Sequence, residues 1–184
     1  SATMVKAGIF LMARLWPVLA GTPEWFWLVA TTGLVTMVLG AGIALFRDNL
    51  KALLAYSTVS HLGFITMLLG FGTETAAQVA VFHIINHATF KAALFMCVGI
   101  IDHGTGTQLL SRLGGLRRLM PVTFLLTAIG SLSMAGIPPL NGFISKEMML
   151  TEAAGNGLFF GILAVLGAVF SVAYSLRLWV AGFF

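Results

Sequence analysis

The chain has 184 residues, of which 59% are hydrophobic and only 9% charged, with a net charge of +4. A water-soluble domain carries roughly 25% charged residues, so this composition, with a mean hydropathy of +1.00, excludes one and marks a polytopic membrane protein. The basic residues are scattered and lie mostly at segment ends, which argues against a nucleic-acid surface. A single cysteine, Cys97 in an apolar segment, rules out an intrachain disulfide and reads as a small core residue.

Taken in order, the first segment covers residues 1–16. Its apolar run, residues 2–15, falls short of the ~20 residues a spanning helix needs, carries Lys6 in its middle, and should stop at Pro17. With no initiating Met and a last segment that ends on Phe183-Phe184, the chain is expected to be a fragment of something longer. Segment two, residues 25–46, is fully apolar. Gly33, Gly40 and Gly42 are its expected close-packing points, and Trp25 and Trp27 its interfacial belt. Segment three spans about 49–71 and segment four about 76–101. A polar connection, 102–120, holds Arg112, Arg117 and Arg118.

Segment five runs from Pro121 to about Ala153, ~50 Å if it were one helix, against a hydrocarbon core of ~30 Å. Pro138 and Pro139 remove two backbone donors and clash with the preceding turn, so the helix must break there. Segment six covers 158–180. The fold class is therefore an all-α membrane helix bundle of about five full transmembrane helices plus a partial one, with one helix broken, and residues 1–184 form a single transmembrane domain. No repeat with a period of 20–50 residues is visible. If the segments alternate sides, Arg47, Lys51, Arg112, Arg117, Arg118 and Arg177 collect on one side, and Arg14 is alone on the other. The positive-inside rule makes the first side cytoplasmic.

The candidate chemistry sits on segment four. On a helix, His83, His87 and Lys91 fall within an arc of roughly 80° and climb ~6 Å per step, with Asn86 beside them. Ionisable groups stacked in a membrane are costly unless they face protein or water. Histidine titrates near neutral pH, and a lysine withdrawn from water gives up its proton more readily than a free one. The ladder therefore suits proton relay. A metal site is a rival, since His at i and i+4 is a known ligand spacing. Position 84, however, is Ile, no carboxylate is near, and Lys91 would repel a cation. The plain rival is a pair of histidines hydrogen-bonded between helices.

In segment five the break frees backbone groups that only a cavity or protein can satisfy, and broken helices point to ion pathways. Asn141 is placed to cap the second half, with Ser145, Lys146 and Glu147 just beyond. The positive end of that half-helix would face the Lys146 ammonium. The alternative is that Lys146 and Glu147 snorkel to the interface. Lys6 is a further candidate, with the same alternative. Asp48 and Lys51, i and i+3, form either an interfacial ion pair or a proton entrance. His61 shares an arc of ~100° with Ser57 and Ser60, as either a packed histidine or a relay member. There is no Gly-rich phosphate loop, CxxC, haem-type motif or nucleophile elbow. No cofactor, no metal and no enzymatic activity are expected.

With these residues in hand, the chain resembles the antiporter-like family of membrane subunits shared by multisubunit Mrp-type Na+/H+ antiporters, respiratory complex I and membrane-bound hydrogenases. Within it, the chain is most similar to the large A subunit of the Mrp type. The resemblance rests on Ser1-Ala2-Thr3-Met4-Val5-Lys6-Ala7-Gly8, Lys51-Ala52-Leu53-Leu54-Ala55-Tyr56-Ser57-Thr58 and residues 82–95. It continues through Gly99-Ile100-Ile101-Asp102-His103, Gly104-Thr105-Gly106-Thr107 and residues 134–148.

It implies a subunit of roughly fourteen transmembrane helices built on two inverted repeats, each with a broken helix. This chain would be the end of the eighth helix and the second repeat, with segment five broken. Lys6, His83, His87, Lys91 and Lys146 match the family's central polar axis, and Lys51 and His61 match further positions. The histidine expected just before Ser1 and the first repeat with its Glu–Lys pair lie beyond this stretch, so these 184 residues alone are not expected to transport.

The implied function is proton translocation within a monovalent cation (Na+)/H+ antiporter. A proton would pass between Lys6, the His83/His87/Lys91 ladder and Lys146. The implied partners are the lipid bilayer of the plasma membrane, other antiporter subunits, H+ and Na+. The alternative is the proton-pumping subunit of complex I or of a hydrogenase, against which residues 1–8, 101–103 and 137–148 read as the Mrp version. A scaffold bundle without conduction fits poorly with so many ionisable groups at depth.

Overall fold

Each apolar run long enough to cross a bilayer becomes a helix in the computed structural model, which describes residues 4–184. Ser1, Ala2 and Thr3 of the first segment lie outside the described residues. Helix α1 is Ala7–Leu19, entered through a 3-10 turn, Met4–Lys6. Helix α2 is Pro23–Phe46, α3 Leu50–Gly70 and α4 Glu74–Thr105. The broken segment gives α5, Pro121–Ala135, and α6, Asn141–Gly155; α7 is Leu158–Phe183. Helices α2, α3, α4 and α7 are long and apolar enough to span a membrane. Of these α3 is central, with 67% of its most apolar window buried against 39–44% in the others.

Local chemistry sets the boundaries. Asn49 caps α3 by accepting from the Ala52 N–H at 3.0 Å, and Thr73 caps α4 by accepting from Ala76 N–H at 3.3 Å. Gly106 and Gly136 end α4 and α5 with φ of +69° and +80°, a conformation glycine adopts without strain. Pro17 does not stop the first helix as its type predicts. It lies inside α1, which runs two residues further, because a proline removes only one backbone bond and the last turn can close around it. Within α2, Phe26–Ala30 is a π-helical stretch that nothing in the sequence announced.

Helices α2 and α3 are in backbone contact. A Cβ on Gly33 would run into Gly63 and Met67 of α3, and one on Gly40 into Ser60 and Tyr56. Gly42, expected to join them, faces open space, because it sits two residues from Gly40 and so points elsewhere. The interfacial tryptophan pair also splits. Trp27 is exposed, but Trp25 is buried and donates from Nε1 to Leu69 O at 2.9 Å.

The arginine-rich connections meet at one end of the bundle. Leu50 N–H donates to Gln108 O at 2.8 Å, Leu110 N–H to Asp48 O at 2.8 Å, and the Arg177 guanidinium to Leu45 O. Asp48 does not pair with Lys51. Its carboxylate accepts from Ser111 N at 3.0 Å and Ser111 Oγ at 2.6 Å, while Lys51 reaches Asp102 at 2.8 Å. Asp102 belongs to the end of α4 and Ser111 to the connection that follows it, and both meet the start of α3.

Two apolar clusters divide the core. One, around Leu34, Ile65, Leu68, Val79 and Met149, fills the end away from the arginines. The other, around Leu53, Leu54, Leu94, Val98 and Leu178, fills the arginine-rich end. Between them, at mid-height, lies a layer of buried polar side chains.

Candidate functional site

Six basic side chains in that layer are buried: Lys6, His61, His83, His87, Lys91 and Lys146. The ladder spacing on α4 aims His83, His87 and Lys91 at α3, where the centrality of α3 leaves no water to receive them. His83 bonds across two helices. Its Nε2 meets His61 Nδ1 at 3.0 Å and its Nδ1 meets Ser145 Oγ of α6 at 3.0 Å. Both its ring nitrogens are thus used by protein partners, which leaves neither for a metal ion. Among the described residues no group of three or more His, Cys, Asp or Glu is arranged to hold one. His87 lies against His61, ring centroids 5.1 Å apart, and neither of its nitrogens has a hydrogen-bond partner among the described residues.

Each lysine is held by helix carbonyls. Lys91 Nζ donates to Leu54 O at 3.1 Å and to Ser57 Oγ. Lys6 Nζ donates to Ile84 O at 2.9 Å, which joins α1 to the ladder. Lys146 Nζ donates to Met134 O at 3.2 Å, Ala135 O at 2.9 Å and Ser171 Oγ at 2.8 Å. Its ammonium therefore does not face the amino end of α6, as its position in sequence predicts. It reaches back to the carboxyl end of α5, whose free carbonyls favour a cation. The snorkelling alternative for Lys146 does not describe this side chain.

The break itself is pinned to the ladder helix. Asn141 is the first residue of α6, and its side chain makes no cap bond there. Instead its Nδ2 donates to Asn86 Oδ1 at 3.3 Å, its Oδ1 accepts from Ser133 Oγ at 2.5 Å, and its backbone O accepts from Asn86 Nδ2 at 3.3 Å. The amide is drawn away from the cap because Asn86 lies directly across from it. Gly142 lies against the Ser133 backbone, where no Cβ would fit. Pro138 and Pro139 form the exposed corner of the break.

Two of the sequence candidates lie apart from this layer. Glu147 is exposed on the other face of α6. Lys51 is at the arginine-rich end, where it holds the Asp102 carboxyl below its ordinary value of 3.8, with Gln108 adding a second bond at 2.8 Å. His61, by contrast, is the hub: its ring is within 5.2 Å of both His83 and His87.

Helix α7 adds groups that were not among the sequence candidates. Ser171 and Tyr174 are buried and share a face at i and i+3. That spacing in an otherwise apolar run was the available signal. Ser175 is buried too, but it bonds the Ser171 carbonyl and lies outside the site. A small cavity of about 10 Å³ is lined by Ser60, His61, Lys146, Ser171 and Tyr174, with apolar walls.

Comparison with known proteins follows the same outline. A family described as "NADH:quinone oxidoreductase/Mrp antiporter, TM" matches residues 1–171. The chain is 56% identical over 183 residues to the A/B subunit of a probable K(+)/H(+) antiporter of Rhizobium meliloti, covering 96% of this chain and 18% of that protein. It is 47% identical to the A subunit of the Na(+)/H(+) antiporter of Bacillus subtilis, covering 97% and 25%. Its fold superposes on a chain of the Mrp complex from Dietzia sp. DQ12-45-1b with a TM-score of 0.92 at 48% identity, covering 98% and 21%. The chain thus spans about a fifth to a quarter of the length of these relatives.

Proposed function

This chain belongs to the NADH:quinone oxidoreductase/Mrp antiporter transmembrane family, and from that premise we propose that residues 1–184 are one proton-conducting domain of a monovalent cation/H+ antiporter subunit. The observation that carries this reading is the buried layer itself. Six basic side chains follow one another through the turn that enters α1 and through α3, α4 and α6, with no buried carboxylate among the described residues. A structural core gains nothing from such a layer, since each charge taken from water costs several kcal/mol. A proton route requires groups that load and unload.

The route runs from Lys6 past His83, His61 and His87, branching to Lys91 and to Lys146, whose ammonium the α5 carbonyls hold in place. Water joins the gaps. The proton changes hands without redox chemistry, so the domain is a transporter element and not an enzyme. Two of the similar proteins are named for K+/H+ and Na+/H+ exchange, and one of these cations is the partner ion. It does not follow the basic line, because it needs oxygen ligands and would be repelled there. The working unit is the longer protein, assembled with other antiporter subunits in the plasma membrane, the arginine-rich end in the cytoplasm.

The test is Lys91→Ala in the complete complex. Cation-driven proton movement in vesicles should fall by roughly a hundredfold or more, with assembly unchanged. Lys91→Arg should fail as well, because a guanidinium does not give up its proton. Normal transport by Lys91→Ala would remove the ladder from the route.

A further inference from the structure

The hydrogen-bond chain through the histidines ends on one atom in need of a partner. Gly142 O can only accept, and Ser145 Oγ donates to it at 3.3 Å. With that bond kept, Ser145 Oγ accepts from His83 Nδ1–H. In neutral His83 the Nε2 is then a bare lone pair, so it accepts from His61 Nδ1–H. With the hydroxyl turned to His83 the chain runs the other way and still ends on His61 Nε2. In the first direction His61 Nε2 is an acceptor, and in the reverse one a donor; a water can serve either. Yet His61 Nε2 has no partner among the described residues, and Tyr174 Oη makes no hydrogen bond of good geometry there, although the Ser60 and Ser171 hydroxyls lie beside it. His61 is 4% exposed and Tyr174 fully buried, and both line the small cavity of about 10 Å³ shared with Lys146 and Ser171.

We propose that this cavity is a site for one structural water, held by His61, Tyr174 and Ser171, and that Tyr174 is a positioning residue for proton passage between Lys146 and the histidines. The space is at the margin for a single molecule, which needs roughly 10–15 Å³ and two to four polar partners. The partners are complementary. The water donates one hydrogen to His61 Nε2 and the other to Ser171 Oγ, and it accepts from the Tyr174 hydroxyl. Ser171 has an acceptor position left, since its Oγ receives one bond from Lys146 at 2.8 Å and donates to Met134 O at 3.3 Å. The three ammonium hydrogens of Lys146 are already used. Its connection to the water therefore goes through the Ser171 hydroxyl. For a proton to cross this bridge the Ser171 hydroxyl turns from Met134 O to the water, and the water withdraws its own hydrogen from Ser171. Lys146 then passes a proton to Ser171 Oγ, Ser171 passes its own to the water and the water passes one to His61 Nε2, which leaves Lys146 neutral and His61 doubly protonated.

The site stands on geometry alone, whereas the role of Tyr174 rests on the proton-route reading above. The experiment uses the full-length protein in its assembled complex and has three arms. A high-resolution density map should show an ordered water about 2.7–3.2 Å from both His61 Nε2 and Tyr174 Oη; a dry cavity overturns the site. Tyr174→Phe keeps the ring, so the bundle should assemble, but the water should lose order and proton transport should slow roughly five- to tenfold. Slowing with the water still ordered, or a displaced water with the rate unchanged, overturns the positioning role. Ser175→Ala, whose hydroxyl is already bonded to Ser171 O, should keep both the water and the rate; a loss equal to that of Tyr174→Phe would mean that α7 responds to any polar deletion. Lys91→Ala is run alongside. If it transports normally the proton-route reading fails by itself, while the density still decides the water.

Discussion

Lys51 and Asp102 form the one ion pair among the described residues, 2.8 Å apart and solvent-accessible at the arginine-rich end. Because the pair depresses the carboxyl below 3.8, its contribution is complete at neutral pH and is lost as the pH falls through that depressed value. Asp102→Asn should therefore lower the thermal midpoint of the assembled protein slightly at pH 7, and the difference should vanish in strong acid. A difference independent of pH would mean that the Gln108 bond to this side chain, and not the charge, carries the effect. At this scale the sequence was informative wherever one helix carried the whole pattern. His83, His87 and Lys91 were legible from spacing alone, because a period of 3.6 fixes their common face. Partners distant in sequence were not. Nothing near Lys51 points to Asp102, nothing near Asn141 points to Asn86, and His61 becomes a hub only because α3 is the helix that α4 buries.

Among the helices, run length and the Pro138-Pro139 pair were sufficient to place every segment and the break between Ala135 and Asn141. The exceptions were Pro17 and the π-helical turn in α2, where tertiary packing decides what local propensity leaves open. The break shows the same limit: its position was readable, but the return of Lys146 to the carbonyls of α5 depends on how the two half-helices fold back on each other. Alternation of the helices has a direct check. Single cysteines at Glu24, Glu74 and Glu152 should react with an impermeant reagent outside intact cells, and those at Arg117 and Arg118 should not. The native Cys97 is buried and should stay silent. Reaction at 117 with none at 74 would invert the proposed orientation.

For the molecule as a whole, the match at TM-score 0.92 says that this arrangement of helices is the family's own. The two apolar clusters then acquire a meaning beyond stability. They insulate the basic layer at both ends, so a charge inside it is poorly screened. Two protonated rings as close as His61 and His87, 5.1 Å apart, would repel by roughly 3 kcal/mol at an effective dielectric of 20. That lowers the chance of both being charged together by about two orders of magnitude. On the proposed route this turns a row of bases into a queue that admits one traveller at a time, the next entering only after the last has left. Turnover should then saturate with proton concentration as a single site does, and a steep, cooperative curve would mean that two protons share the line. Having no buried acid among its described residues, the layer sets its own traffic rule: each proton's departure is what opens the way for its successor.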